Sequence, residues 1–159
     1  MRGATNAILQ LSSAQQENGV VTHSSGNFAQ ALALAAYNLG VKSFIVMPTT
    51  APQVKKDAVV GYGGEIIECQ PTLKAREHAA KIVGQRHQAT FIHPSNDMDV
   101  ILGQGTACIE LLAEHPALEV IFTPVGGGGL IAGTALSAHH LAPGCRIFGR
   151  EPFAVDDAY

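Results

Sequence analysis

Short apolar runs alternate with longer, helix-like stretches along the whole chain. The runs are rich in β-branched and aromatic residues and are bounded by Gly, Pro or polar residues, which is typical of buried strands. They predict strands at residues 20–22, 43–47, 65–68, 90–92, 120–122 and 146–148. The stretches between them predict helices at residues 28–39, 52–60, 71–83, 100–114 and 130–141, the first three ending at Gly40, Gly61 and Gly84.

This alternation predicts an α/β fold with open, mostly parallel, twisted sheets and helices on both faces. Ligands in such folds bind beyond the carboxyl ends of the strands. Polar turns that contain glycine follow the strands predicted at residues 20–22 and 120–122. We therefore expect the functional residues in these two turns.

The second of these turns contains four consecutive glycines, Gly126, Gly127, Gly128 and Gly129, directly before a predicted helix. Because glycine has no Cβ, the backbone N–H groups of this tetraglycine loop can converge on an anion at the positive end of the helix dipole. We predict a phosphate-binding loop. It is not a Walker A loop, since no Gly-Lys-Ser/Thr sequence follows. A flexible connection between strand and helix is the structural alternative.

The same glycines also fit a dinucleotide-binding pattern. Gly127, Gly129 and Ala132 match GxGxxA, and Glu151 ends the next predicted strand, where an acid that binds a ribose would stand. A glycine fingerprint alone is a weak signal, so this is the weaker functional hypothesis.

The turn after residues 20–22 contains Ser24, Ser25, Gly26 and Asn27, followed by a helix that is apolar nearly all round. Such a helix is buried, so the polar turn at its N-terminus is held by a rigid element. Its hydroxyl and N–H groups suit a carboxylate. The alternative is that Ser24 or Ser25 only caps the helix.

Three carboxylates, Glu151, Asp156 and Asp157, follow the last predicted strand. Their oxygens are suitable ligands for a hard cation such as Mg²⁺, Mn²⁺ or Ca²⁺. Alternatively, Asp156 and Asp157 cap a helix and supply the acids of its first turn.

Composition argues against several functions. The chain of 159 residues is 47% hydrophobic and 14% charged, with a net charge of −3, so we expect enough material for one soluble domain and no nucleic-acid or membrane partner. No signal peptide is evident, and the apolar stretches are shorter than the roughly 18 residues of a membrane span. The three cysteines lack metal or redox spacing, which favours reduced thiols and a cytoplasmic location.

A resemblance to a known family is carried by loops in order along nearly the whole chain: RGATNA at 2–7, SSGNFAQ at 24–30, PTTAPQVKK at 48–56, GYG at 61–63, GQGT at 103–106, PVGGGGL at 124–130 and EPFAVDDAY at 151–159. Together they resemble the serine racemase and serine/threonine dehydratase family. The resemblance implies a pyridoxal 5′-phosphate (PLP) enzyme of fold type II, similar to the tryptophan synthase β subunit and present here in part. It also implies action on serine or threonine, by racemisation or by β-elimination to a 2-oxo acid and ammonia.

The resemblance further implies roles for the two turns. The four glycines and the amide of Leu130 would bind the cofactor phosphate, and Asn27 would bind the 3′-oxygen of the pyridine ring. The substrate carboxylate pocket would be lined by Ser24, Ser25, Gly26 and Gln30. Ser25 would also be the acid/base, on the face opposite the catalytic lysine; inversion of a stereocentre requires one group on each face.

Two more sites follow only from the resemblance. Glu151, the carbonyl of Val155 and Asp157 would bind a divalent cation. Gln30, Lys55 and Tyr62 match positions that some racemases use for an allosteric nucleotide at a subunit interface. The intact protein would be a homodimer.

One feature departs from the family pattern. The lysine that carries the cofactor would fall one place before Met1, and the chain stops at Tyr159, before the family's remaining sheet. We therefore expect this chain alone to be inactive. A catalytically dead module that binds PLP or another subunit is the non-enzymatic alternative.

The resemblance also predicts the domain limits. Residues 17–95 would form the small domain, with 1–16 and 96–159 as parts of the large domain. A partial sheet exposes apolar faces and unpaired strand edges, so we expect marginal stability or aggregation of this chain by itself.

Overall fold

The computed structural model describes residues 1–153, which form two compact units. The first unit contains Met1 and Gly3–Pro94, and the second contains Arg2 and the residues from Ser95 on. Each unit has its own parallel sheet. The predicted domain limits, which count residues 1–16 with the large domain, stay a prediction.

The first unit is built on a four-stranded sheet with the order β3-β2-β1-β4. Every pair of neighbouring strands is parallel, with Val21 opposite both Phe44 and Phe91. The elements in chain order are α1 (Arg2–Leu9), α2 (Ser13–Asn18), β1 (Val20–His23), α3 (Asn27–Asn38), β2 (Ser43–Pro48), α4 (Gln53–Gly61), β3 (Glu65–Cys69), α5 (Leu73–His87) and β4 (Thr90–Phe91).

Burial of the two central strands dictates their composition. Every residue of β1 and β2 is buried, as expected for parallel strands covered by helices on both faces. One core cluster joins Val21, Phe44 and Val46 of the sheet to Ala80 and Val83 of α5. One face of α3 is also part of the core, and its residues Ala29, Leu32 and Ala33 are fully buried.

The second unit contains α6 (Met98–Glu114), β5 (Val120–Pro124), α7 (Gly129–Leu141) and β6 (Arg146–Arg150). Strands β5 and β6 pair in parallel, and Phe122 lies opposite Phe148. These two rings stack at 5.6 Å and are 67% and 42% exposed. An exposed apolar face was expected for a partial sheet; aggregation of the chain stays a prediction.

The predicted six strands and five helices are confirmed, with ends that differ by a few residues. The sequence prediction missed helices α1 and α2, of eight and six residues, although the buried residues of α1, Gly3, Ala4, Ala7 and Ile8, follow helical spacing. The expected end of α5 at Gly84 is wrong, since the helix continues to His87 and is followed by Gln88 in the left-handed conformation. A Cβ on Gly84 would lie 3.4 Å from the Ala89 carbonyl and 3.6 Å from Val21 Cγ1, which are ordinary van der Waals contacts, so the packing of α5 does not require glycine at this position.

Two further sequence expectations concern cysteines and membrane spans. Cys69, Cys108 and Cys145 are free thiols, as expected. Within residues 1–153, no helix combines the length and apolarity that crossing a bilayer demands.

Helices α6 and α7 are in backbone contact. A Cβ on Gly133 would lie 2.6 Å from Gly105 N, and a Cβ on Gly105 would lie 2.7 Å from both Gly133 O and Ser137 Oγ. The Ser137 hydroxyl donates a hydrogen bond of 3.0 Å to the Gly105 carbonyl. These helices therefore pack at a distance that only glycine permits.

We expect Gly133→Ala to lower the free energy of unfolding by about 1–3 kcal/mol, because the added methyl group overpacks the α6–α7 contact. This loss exceeds the gain of up to about 1 kcal/mol that alanine has over glycine within a helix. Gly144→Ala is the matched control, since a Cβ there meets nothing within 4 Å. Urea denaturation followed by circular dichroism measures both; equal stability of the two variants would contradict the prediction.

Candidate functional site

The first turn lies between the end of β1 at His23 and the start of α3 at Asn27. The Ser24 N–H donates to the Val46 carbonyl at 3.1 Å, and the Gly26 N–H donates to Ser24 Oγ at 3.3 Å. The alternative that Ser24 or Ser25 caps α3 is wrong, because the N-cap is Gly26 and no side chain makes a capping hydrogen bond. Ser24 instead stabilises the turn itself.

The remaining groups of this turn are available to a ligand. Ser25 and Gly26 are half-buried and Asn27 is exposed. Within residues 1–153, no hydrogen bond uses the Ser25 hydroxyl. Gln30 follows Gly26 by four residues in the same helical region, so it lies on the same side of α3 as the turn. The structure thus places Ser24, Ser25, Gly26, Asn27 and Gln30 around the start of α3, and their roles stay a prediction.

Arg76 of α5 was missed by sequence reasoning. Its Nε atom is buried and has no hydrogen-bond partner among the residues that the structure describes. Its charge also contributes to lowering the pKa of His23, after burial and the charge of His93. A buried cationic nitrogen without a partner costs free energy, which a bound anion would relieve. No local sequence signal reveals this, because α5 is distant from β1 in the sequence and the two elements come into contact only in the folded unit.

His23 lies in a small aromatic cluster beside the first turn. Its ring is 5.4 Å from the ring of Phe91 and 5.7 Å from that of His93. These rings, together with Glu77 of α5, line a cavity of about 420 Å³. Burial, the strongest influence, lowers the pKa of His23, so this imidazole is neutral at neutral pH.

The tetraglycine loop connects β5 to α7 in the second unit. Gly128 is the N-cap of α7, with φ of +85°, a conformation that favours glycine. A Cβ on Gly127 would lie 2.6 Å from Ser95 Cβ, and a Cβ on Gly129 would lie 3.1 Å from Ser95 Cα. Ser95 therefore leaves no room for a side chain at Gly127 and little at Gly129, and the positive φ favours glycine at position 128, whereas a Cβ on Gly126 would meet nothing within 4 Å.

The start of α7 provides donors for an anion. The Ala132 N–H makes the helical hydrogen bond to the Gly128 carbonyl at 3.0 Å, so the amides of Gly129, Leu130 and Ile131 precede it. The first amides of a helix have no partner within the helix, and no side chain caps α7. A phosphate group fits this arrangement, because it accepts several N–H donors and its charge is favoured by the helix dipole.

The predicted cation site is only partly within the described residues. Glu151 directly follows β6 and is half-buried, whereas Val155 and Asp157 lie outside the described residues. The described part of the chain contains no group of three or more His, Cys, Asp or Glu suited to a metal ion. The cation site stays a prediction.

The predicted nucleotide residues lie on two helices of the first unit. Gln30 is in α3, Lys55 is in α4, and Tyr62 is the C-cap of α4. No hydrogen bond or ion pair joins these three side chains within residues 1–153. Neighbouring Lys56 has a structural contact instead, since its Nζ donates to the Thr49 carbonyl at 3.0 Å and to Glu68 at 2.6 Å.

Comparison with known proteins identifies the class. The sequence profile described as "Pyridoxal-phosphate dependent enzyme" matches residues 1–159. The serine racemase of Dictyostelium discoideum is 46% identical over 100% of this chain and 49% of that protein. The beta-hydroxyaspartate dehydratase of Paracoccus denitrificans is 48% identical over 100% of this chain and 50% of that protein. The structure of maize serine racemase superposes with a TM-score of 0.95 and 46% identity, over 98% of this chain and 47% of that one.

The chain belongs to the family of pyridoxal-phosphate dependent enzymes. The resemblance stated from the sequence and the predicted α/β fold of type II are thus confirmed. The chain spans about half the length of the curated relatives it matches. The family match favours the PLP hypothesis over the dinucleotide hypothesis.

We expect His23 to make stability depend on pH. Its pKa in the folded protein is below the ordinary value of 6.5. As the pH falls, the unfolded chain therefore binds a proton at His23 more readily than the folded protein does. Stability is therefore complete above about pH 6.5 and declines as the pH falls towards the folded pKa. In His23→Gln, the loss of unfolding free energy between about pH 7.5 and about pH 5.5 should be smaller than in the wild type.

Urea denaturation at the two pH values measures this difference. His78→Gln is the control, because His78 is an exposed residue of α5. Comparing each variant with itself at two pH values cancels any packing defect. An unchanged pH dependence in His23→Gln would contradict the prediction.

Proposed function

We propose that this chain carries the phosphate site and the substrate carboxylate site of a PLP-dependent enzyme acting on amino acids with a β-hydroxyl group. Serine and threonine are the proposed substrates, and the reactions are racemisation and β-elimination to a 2-oxo acid and ammonia. The observation that supports this most is the sterically fixed tetraglycine loop at the start of α7. The names of the relatives, serine racemase and beta-hydroxyaspartate dehydratase, also refer to β-hydroxy amino acids.

The cofactor phosphate would bind at Gly126, Gly127, Gly128, Gly129 and the amide of Leu130. The loop itself contains no lysine or arginine, so backbone donors and the helix dipole supply the attraction. Bound PLP would stabilise the charge that develops at Cα of the amino acid. Asn27 would bind the 3′-oxygen of the pyridine ring.

The substrate carboxylate would bind at Ser24, Ser25, Gly26 and Gln30. Their hydroxyl, N–H and amide groups donate hydrogen bonds to a carboxylate. Arg76 supports this assignment, because its buried Nε lacks a partner among the described residues and its charge acts on the end of β1. An anionic ligand would offset the cost of burying this nitrogen.

Ser25 would move the proton in racemisation. A stereocentre inverts when a proton leaves one face and another arrives on the opposite face, so the reaction needs two groups. The Ser25 hydroxyl has no hydrogen bond within the described residues, which leaves it available for this step. The resemblance assigns the opposite face to a lysine one residue before Met1.

Further proposals rest on the sequence and on the resemblance, without support from the geometry of the described residues. They are a divalent cation at Glu151, Val155 and Asp157, an allosteric nucleotide at Gln30, Lys55 and Tyr62, and a homodimer in the cytoplasm. A catalytically dead module that binds PLP or another subunit is the competing hypothesis, and the inactivity of the chain alone stays a prediction.

We expect the chain to bind PLP at least about tenfold more tightly than pyridoxal, because only PLP offers a phosphate to the loop amides. Gly128→Val should remove this preference, since valine strongly disfavours a φ of +85°. Gly144→Val is the matched control, at a glycine with open space around it. Equilibrium titration of the chain with PLP, pyridoxal and NAD tests the proposal. Equal affinity for PLP and pyridoxal, or a preference for NAD, would contradict it.

We expect Ser25→Ala to reduce racemisation of serine by about 10²–10⁴-fold relative to elimination, because only racemisation needs the second proton-transfer group. The assay follows D-serine and pyruvate formed from L-serine by the intact enzyme, with both halves and the catalytic lysine present. Ser25→Thr retains a hydroxyl and is the control. An equal loss of both reactions would assign Ser25 to substrate binding only.

A further inference from the structure

Ser95 lies directly against the tetraglycine loop, within the same unit. It precedes the N-cap of α6, Asp97, whose carboxylate accepts hydrogen bonds from Asp99 N at 2.9 Å and Val100 N at 3.2 Å. These bonds hold the chain just after Ser95. Because α6 contacts the backbone of α7 at Gly105 and Gly133, the segment before α6 and the loop before α7 belong to one rigid pair of helices.

We propose that Ser95 is a positioning residue for the phosphate-binding loop, an inference that rests on the proposed function. Its side chain occupies the space beside Gly127 where a Cβ would otherwise stand: Ser95 Cβ is 2.6 Å from that point, and Ser95 Oγ is closer still. The loop therefore follows the surface of Ser95, and the direction of its amides depends on the size of this side chain.

Gly127 and Gly129 meet different parts of Ser95. The obstacle at Gly127 is the side chain, Oγ and Cβ, whereas the nearest atoms at Gly129 are the backbone Cα at 3.1 Å and carbonyl oxygen at 3.2 Å. A shorter residue 95 would make room for a methyl group at position 127 and not at position 129. No positive φ restricts either glycine, so the space alone decides.

This difference defines a rescue experiment. Gly127→Ala should weaken PLP binding by about tenfold or more, while the affinity for pyridoxal changes little. Adding Ser95→Gly to Gly127→Ala should restore most of the PLP affinity. Gly129→Ala should also weaken PLP binding, and Ser95→Gly should not rescue it. The ³¹P chemical shift of bound PLP reports the environment of the phosphate in each variant that binds it.

Urea denaturation of the same variants provides a second measurement without a ligand. Ser95→Gly should recover the stability lost in Gly127→Ala and leave the loss in Gly129→Ala unchanged. Failure of this rescue, or equal rescue of both alanine variants, would overturn the role of Ser95 while leaving the proposed function intact. A wild-type chain that binds PLP no better than pyridoxal would instead overturn the proposed function and this inference with it.

Discussion

The second unit depends on close contact between the backbones of α6 and α7, which is possible only where side chains are absent. Gly105 and Gly133 let α6 and α7 pack at a distance that any Cβ would forbid. Helix α7 is thereby held with its N-terminus beside Ser95, and the tetraglycine loop adapts to that surface. Hence the same physical feature, a missing Cβ, explains both the packing of the helices and the shape of the loop that precedes one of them.

In the first unit, polar groups are placed at the end of a buried sheet. Strands β1 and β2 are entirely buried, yet β1 leads directly into a turn with hydroxyl groups. The hydrogen bond from the Ser24 N–H to the Val46 carbonyl continues the strand pairing to the last residue before the turn. Packing of α5 on this sheet adds Arg76, and the pairing of β4 with β1 brings the rings of Phe91 and His93 to His23. The turn thus combines a rigid base with groups that carry chemistry.

Two ways of attracting an anion occur in this one chain. The tetraglycine loop offers backbone amides at a helix start, an arrangement that suits a compact anion without any charged side chain. The first turn offers hydroxyls, and the charge of Arg76, whose Nε has no partner in the described part of the chain, acts on His23 just before the turn. An enzyme that binds a cofactor phosphate and a substrate carboxylate must accommodate two anions. The proposed function assigns one to each arrangement.

The sequence by itself determined the order of strands and helices, the parallel α/β class and the positions of the two candidate turns, because each has a local signal: apolar periodicity, glycine runs, and hydroxyl residues after a strand. Only the tertiary structure decided that Gly84 lies within α5, that Gly26 caps α3, that the charge of Arg76 acts on His23, and that Ser95 lies against the tetraglycine loop. These properties depend on contacts between residues distant in the chain. Sheet order and helix packing create such contacts, and the local pattern of residues predicts neither of them.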